Sequence, residues 1–153
     1  DKKKPKVTPF IPKPHQKNAI SLAHKHFVKE NNSRGKLIFP CGSGKSLTGF
    51  WMMEKLKANS TVVAVPSLSL VKQTLEVYLK QVVAKNKNVK WLCICSDEGI
   101  GKSDDVVTYT RDLPVPCTTD PDYIKKWLKD NKNDNIIIFT TYQSGRLIAE
   151  ASK

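Results

Sequence analysis

Helices that alternate with short, continuous, β-branched runs predict an α/β fold, a parallel sheet with helices on both faces. Three observations carry that prediction. The runs at 37–39, 61–65, 89–95 and 135–141 are apolar almost throughout instead of alternating, as strands covered on both faces are. The segments between them repeat apolar residues at helical spacing. The length of 153 residues and the 39% hydrophobic content suit one ordinary domain with a core of its own.

The elements follow in order. Residues 1–12 are a basic, flexible lead-in: "DKKKPK" has neither a starting Met nor an apolar run and is not a secretory signal. From residue 13 to 153 the chain reads as one domain. Residues 15–32 place Ala19, Ile20, Ala23, Phe27 and Val28 on one helical stripe. Residues 37–39 are a short buried strand, and 45–58 a helix. "TVVAV" at 61–65 is a strand ended by Pro66. Ser67 caps a helix whose stripe is Leu68, Val71, Leu75, Tyr78 and Val82. A strand follows at 89–95, then a long loop without period over 96–119. Asp120 and Pro121 are a cap and first-turn signal for a helix to about Asp130. "NIIIFTT" at 135–141 is a buried strand, and 143–153 a helix.

The net charge is +12, and ten of the 26 basic residues precede Leu37, against only Asp1 and Glu30. That balance suits an anionic partner, of which nucleic acid is the commonest, and from charge alone it suits a solvated lysine-rich surface equally well. No apolar run approaches the roughly 18 residues of a membrane span. The expectation is an intracellular protein without a membrane partner. Of the four cysteines, Cys41, Cys93, Cys95 and Cys117, none makes a C-x-x-C pair. Cys93 and Cys95 share one face of a strand and lack further zinc ligands, so buried reduced thiols are expected.

The chemistry sits at "PCGSGKS", Pro40 to Ser46. The full phosphate-loop pattern is G-x-x-x-x-G-K-S/T; Gly44, Lys45 and Ser46 match its end, and Phe39 stands where the first glycine would be. Gly42 and Gly44 allow a tight turn that brings backbone N–H groups against phosphate oxygens. The helix that follows offers its N-terminus to the same anion. Lys45 would neutralise the β and γ phosphates, and Ser46 would ligate Mg²⁺. Pro40, Cys41 and Ser43 complete the loop. The strand-to-helix context distinguishes this from a glycine-rich turn with a chance Lys-Ser.

With Phe39 at the first position, "PCGSGKS" resembles the phosphate loop of superfamily 2 helicases, which have a P-loop NTPase, RecA-like fold. The resemblance extends outward. "PKPHQ" resembles the element those proteins carry upstream, where a glutamine reads the adenine edge; it implies that role for Gln16, with His15 in the place usual for Tyr. "VVAVPSLSLVKQ" resembles motif Ia, with Pro66, Ser67, Leu70 and Gln73 matching. "FTTYQS" resembles the motif Ib segment, with hydroxyls at Thr140, Thr141, Tyr142 and Ser144. These imply contacts to nucleic-acid phosphates, which carry affinity without sequence choice. "CSDEGIG" resembles a stretch of the restriction-type branch, with no role attached.

The resemblance implies ATP and Mg²⁺ as cofactors, nucleic acid (DNA favoured) as partner, and the remaining helicase domains of a parent chain. A helicase motor also needs an acidic D-E-x-H-type motif after a strand. Asp97 and Glu98 follow a strand and could imitate it, but in the family order that motif comes after "TTYQS". The chain is therefore expected to be the front part of a RecA-like domain, incomplete before its acidic strand, which binds ATP and hydrolyses it little. Two alternatives stand beside it: a small phosphate-loop kinase, and a non-enzymatic nucleic-acid-binding module that keeps a vestigial loop.

Overall fold

The computed structural model describes residues 7–96 and 110–152. Its elements are α1 (Pro14–His24), continued by one π-helical turn (Lys25–Lys29), α2 (Lys45–Lys55), β1 (Ser60–Val65), α3 (Leu68–Ala84), β2 (Lys90–Ile94), a 3-10 turn (Thr110–Asp112), β3 (Cys117–Thr118), α4 (Pro121–Asp130), β4 (Ile136–Thr141) and α5 (Arg146–Ala151). The chain divides into two compact units. One takes the residues up to Ala58 together with Val77–Lys87; the other takes Asn59–Glu76 and the chain from Asn88 on.

The second unit holds the sheet, with four parallel strands in the order β1-β4-β2-β3. The central strand β4 is buried at every position, as its unbroken apolar run dictates. β1 lies at one edge, with exposed and half-buried positions alternating. On one face, Leu92, Ile94, Ile136 and Ile138 form a core with Ile124 of α4 and Ala151 of α5, closed by Trp127, Leu128, Leu147 and Ile148. On the other, Trp91 of β2 stacks on Phe139 of β4, with ring centroids 6.2 Å apart. Asp120 caps α4, its Oδ1 accepting from the Asp122 N–H at 3.0 Å, with Pro121 in the first turn. Ser67 caps α3 as expected, its Oγ accepting from the Leu70 N–H at 3.4 Å.

In the first unit, α2 carries its C-terminal Glu54 between Lys85 and Lys87 as a paired ion bridge. Phe50 lies edge-on to Tyr78 with centroids 5.1 Å apart, and the Lys85 ammonium sits 5.4 Å from the Phe50 ring centroid. Burial holds the Tyr78 phenol neutral, its pKa pushed up to about 12.

Four expectations need correction. Residues 37–39 form no strand: a strand exists through its ladder partner, the four-stranded sheet includes none for this run, and Ile38 is 79% exposed. The helix expected over 45–58 stops at Lys55, because Lys57 adopts φ 54° and turns the chain. The helix expected over 143–153 begins only at Arg146, because residues 142–145 form a turn first, with the Gly145 N–H donating to Thr141 O at 3.0 Å. The loop expected over 96–119 contains β3, anchored by the Cys93 N–H donating to Pro116 O at 2.8 Å. Asp97 and Glu98 lie outside the described residues.

Candidate nucleotide site

The phosphate loop runs into α2 through two glycines in the left-handed region, Gly42 at φ 73° and Gly44 at φ 82°. Gly44 is the N-cap of α2. Its conformation turns the chain sharply, and there is no room for a side chain: a Cβ at Gly44 would lie 2.5 Å from Gln16 Nε2. The first turn of an α-helix has N–H groups without intrahelical acceptors, and here the Thr48 N–H is the first to be satisfied, by Gly44 O at 3.0 Å. Thr48 Oγ1 donates to the same carbonyl at 3.0 Å. Lys45 and Ser46 stand in that first turn, Lys45 exposed and Ser46 half-buried.

Two bonds close the loop on itself. Ser43 Oγ donates to Pro40 O at 2.6 Å, and Lys45 Nζ donates to the same oxygen at 3.1 Å. Cys41 is exposed.

The start of α1 holds the loop from outside. Gln16 is 3% exposed. Its Oε1 accepts from the Lys13 N–H at 2.8 Å, and its Nε2 donates to Ser43 O at 3.2 Å and Gly44 O at 3.3 Å. His15 Nε2 donates to Ser43 O as well, at 3.2 Å, and its ring meets Phe39 edge-on with centroids 5.8 Å apart. The segments "PKPHQ" and "PCGSGKS", far apart in sequence, are one structure. The amide of Gln16 is engaged by the backbone, so it can pair with an adenine edge only by exchanging one of these bonds. A cavity of about 360 Å³ in the same unit, lined by Leu22, Ala23, Phe27, Leu37 and Met52 among others, includes neither Gln16 nor any loop residue. It is a separate feature.

The remaining candidates lie in the second unit, at the C-terminal ends of the strands except for Gln73, which is inside α3. Val65 and Thr141 are register partners, and the Tyr142 N–H donates to Val65 O at 3.0 Å. This bond brings Pro66, Ser67 and Tyr142 to the ends of two adjacent parallel strands, where α/β sheets present ligand-binding groups. Pro66, Gln73 and Tyr142 are exposed, Tyr142 by 66%. Thr140 is only 1% exposed, and its hydroxyl donates to the buried Ile94 O at 2.8 Å. Thr141 is buried too, its Oγ1 accepting from the Ser144 N–H at 3.4 Å. Sequence reasoning missed the contact of His15 with the loop; the signal was its place immediately before Gln16.

Comparison with known proteins decides the family. The family described as Type III restriction enzyme, res subunit, matches residues 9–149. The chain belongs to this family. A probable helicase of African swine fever virus is 24% identical over 137 residues, which are 89% of this chain and 14% of that protein. Two solved structures of Type ISP restriction-modification enzymes share the fold at 25% identity. A nuclease-deletion mutant of LlaGI in complex with a DNA substrate mimic superposes with a TM-score of 0.72 over 94% of this chain and 14% of its own. ATP-dependent LlaBIII bound to DNA superposes with a TM-score of 0.74 over 95% of this chain and 9% of its own. The chain thus spans about a seventh or less of the relatives it matches. The resemblance to superfamily 2 helicases read from the motifs is borne out, and the parallel sheet with helices matches the RecA-like fold of these neighbours. Among the described residues no helix is long and apolar enough to cross a membrane.

Proposed function

We propose that this res-subunit chain is the ATP-binding part of an ATP-dependent DNA helicase or translocase. The observation that carries the reading is the phosphate loop itself: two left-handed glycines, a helix N-terminus, and Lys45 and Ser46 in its first turn. The donor set fits a polyphosphate. The free N–H groups of the first turn and the partial positive charge of α2 face an anion without reorganisation. Lys45 Nζ would give up its bond to Pro40 O in exchange for phosphate oxygens. Ser46 is the residue that would hold Mg²⁺, which, when bound, supplies charge neutralisation across the β and γ phosphates.

The family and the DNA-bound neighbours support DNA as the track. Pro66, Ser67 and Tyr142 at the strand ends, with Gln73 further along α3, are the contacts proposed for its phosphates. Thr140 and Thr141 serve those strand ends by holding their backbone. The isolated chain is expected to bind ATP and to hydrolyse it slowly. Titration with Mg·ATP by calorimetry, beside Lys45→Ala, tests the reading. Saturable binding by the unsubstituted chain that Lys45→Ala removes, with the circular dichroism spectrum unchanged, is the expected result. Binding that survives Lys45→Ala would remove the loop from the site.

A further inference from the structure

Outside the nucleotide site, the structure brings two cysteines of different strands into sulfur–sulfur contact. Cys95 follows the end of β2 and Cys117 opens β3. Their Sγ atoms are 3.3 Å apart, and Cys117 Sγ also donates to Cys95 O at 3.3 Å. All four cysteines are thiols. The third cysteine of this neighbourhood, Cys93, pairs in register with Cys117 along the backbone.

We propose that Cys95 and Cys117 are an oxidisable pair that a hydroperoxide converts to a disulfide joining β2 to β3. The sulfurs would have to close from 3.3 Å to the S–S bond length of about 2.05 Å. Exposure sets the order of events. Cys117 is half-buried and Cys95 buried, so the oxidant meets Cys117 first. The Cys117 thiolate attacks a peroxide oxygen, the O–O bond breaks, and the products are Cys117 sulfenic acid and, for hydrogen peroxide, water. Cys95 sulfur then attacks the sulfenic sulfur, the S–O bond breaks, and the hydroxyl leaves as a second water with the proton from Cys95. Two thiols lose two protons and two electrons, the proton given up by Cys117 completing the first water, and one peroxide is reduced to two waters.

Cys95, not Cys93, is the resolving thiol in this proposal because its sulfur is the one in contact with Cys117. Cys93 is fully buried, and burial, with the nearby Cys117 second, pushes its pKa up to about 12. The bond falls on a vulnerable joint. β3 has two residues and lies at the end of the strand order. A covalent link there would hold β3 to β2 independently of the Cys93 N–H to Pro116 O bond, and would slow exchange of that amide.

The test treats the folded chain with hydrogen peroxide, alkylates the remaining thiols, and maps tryptic peptides without reduction. The expected product is the peptide Trp91–Lys102 linked to Asp112–Lys125 with the loss of two hydrogens, reversed by dithiothreitol. Fragmentation between Cys93 and Cys95 should place the link on Cys95, with Cys41 alkylated on its own peptide. The Cys117→Ser variant should leave Cys95 alkylated. If that variant does not fold, the wild-type map decides alone. A link through Cys93 or Cys41, sulfinic acid at Cys117 beside an alkylated Cys95, or no reaction at either sulfur would each overturn the proposal.

Discussion

Gln16→Ala separates two ways in which this glutamine can serve a nucleotide. The resemblance implies that it reads the adenine edge, and its two bonds to loop carbonyls offer a second role, a latch on the phosphate loop. Its Nε2 bonds to Ser43 O and Gly44 O are 3.2 and 3.3 Å, long for N–H···O contacts. Each is therefore worth about 0.5–1 kcal/mol, at the weaker end for neutral bonds. Neither carbonyl is orphaned by the substitution. Ser43 O keeps His15 Nε2, and Gly44 O keeps the Thr48 amide and hydroxyl. The loss is thus about 1–2 kcal/mol of loop constraint, which bounds the weakening of phosphate affinity at about 5- to 30-fold.

The assay is calorimetry with Mg·ATP, Mg·GTP and inorganic tripolyphosphate. A latch predicts that all three weaken by the same factor, since each depends on the loop's shape. Gln16→Glu should weaken them further, because a carboxylate oxygen would face two carbonyls and an anion. Weakening confined to ATP, with tripolyphosphate unmoved, would refute the latch and restore the adenine reading.

Gly44→Ala should cost more than Gln16→Ala: the left-handed φ alone costs about 1–2 kcal/mol, and the new Cβ would press on Gln16 Nε2. Denaturant unfolding of both variants and their double mutant should show a coupling, because removing Gln16 relieves the contact and leaves the backbone strain. Thr140→Val should lower stability by about 1–2 kcal/mol through the lost bond to Ile94 O, while DNA affinity per folded molecule stays unchanged. An affinity loss at unchanged stability would put that hydroxyl in the interface. Alkaline unfolding should set in early. Cys93 and Tyr78 have folded values raised from 9.0 and 10.0 to about 12, so the folded chain keeps protons that the unfolded chain has lost. Their contribution is complete below about pH 9 and falls toward pH 12, by about 1.4 kcal/mol per pH unit for each group between its two values. Tyr78→Phe should flatten the decline above pH 10, read from denaturant midpoints across that range.

Much of the second unit was legible because its strands are long apolar runs, and three of them lie within a residue of their expected ends. What escaped was structure that lives in pairing. β3 is too short to show a period, and it exists through the backbone bond at Cys93. Residues 37–39 have strand composition and no ladder, and composition does not report on partners. The π-helical turn after α1 follows residues that continue the helical stripe without interruption. In the site, the loop's glycines announced its turn, but the burial of Thr140 could not be read from a hydroxyl in a motif. The hydrogen bonds of Gln16 were out of reach for a related reason. Its amide is held by carbonyls whose direction depends on the left-handed turn at Gly44.

The two departures from the familiar motifs touch each other. Phe39 stands where a phosphate loop has its first glycine, and His15 where the upstream element has Tyr; their rings meet edge-on at 5.8 Å. A glycine at the first position would leave the loop's entry free to move. Phe39 instead gives His15 a surface to pack against, and His15 directs its Nε2 to Ser43 O beside the amide of Gln16. The start of α1 therefore supplies by side-chain contact part of the order that bonds within the loop supply through Pro40 O. If that is how the loop is held, Phe39→Gly should weaken tripolyphosphate binding by a factor that His15→Ala already accounts for, so that the double variant is no weaker than either single one. Additive losses would mean that the ring contact and the hydrogen bond act separately.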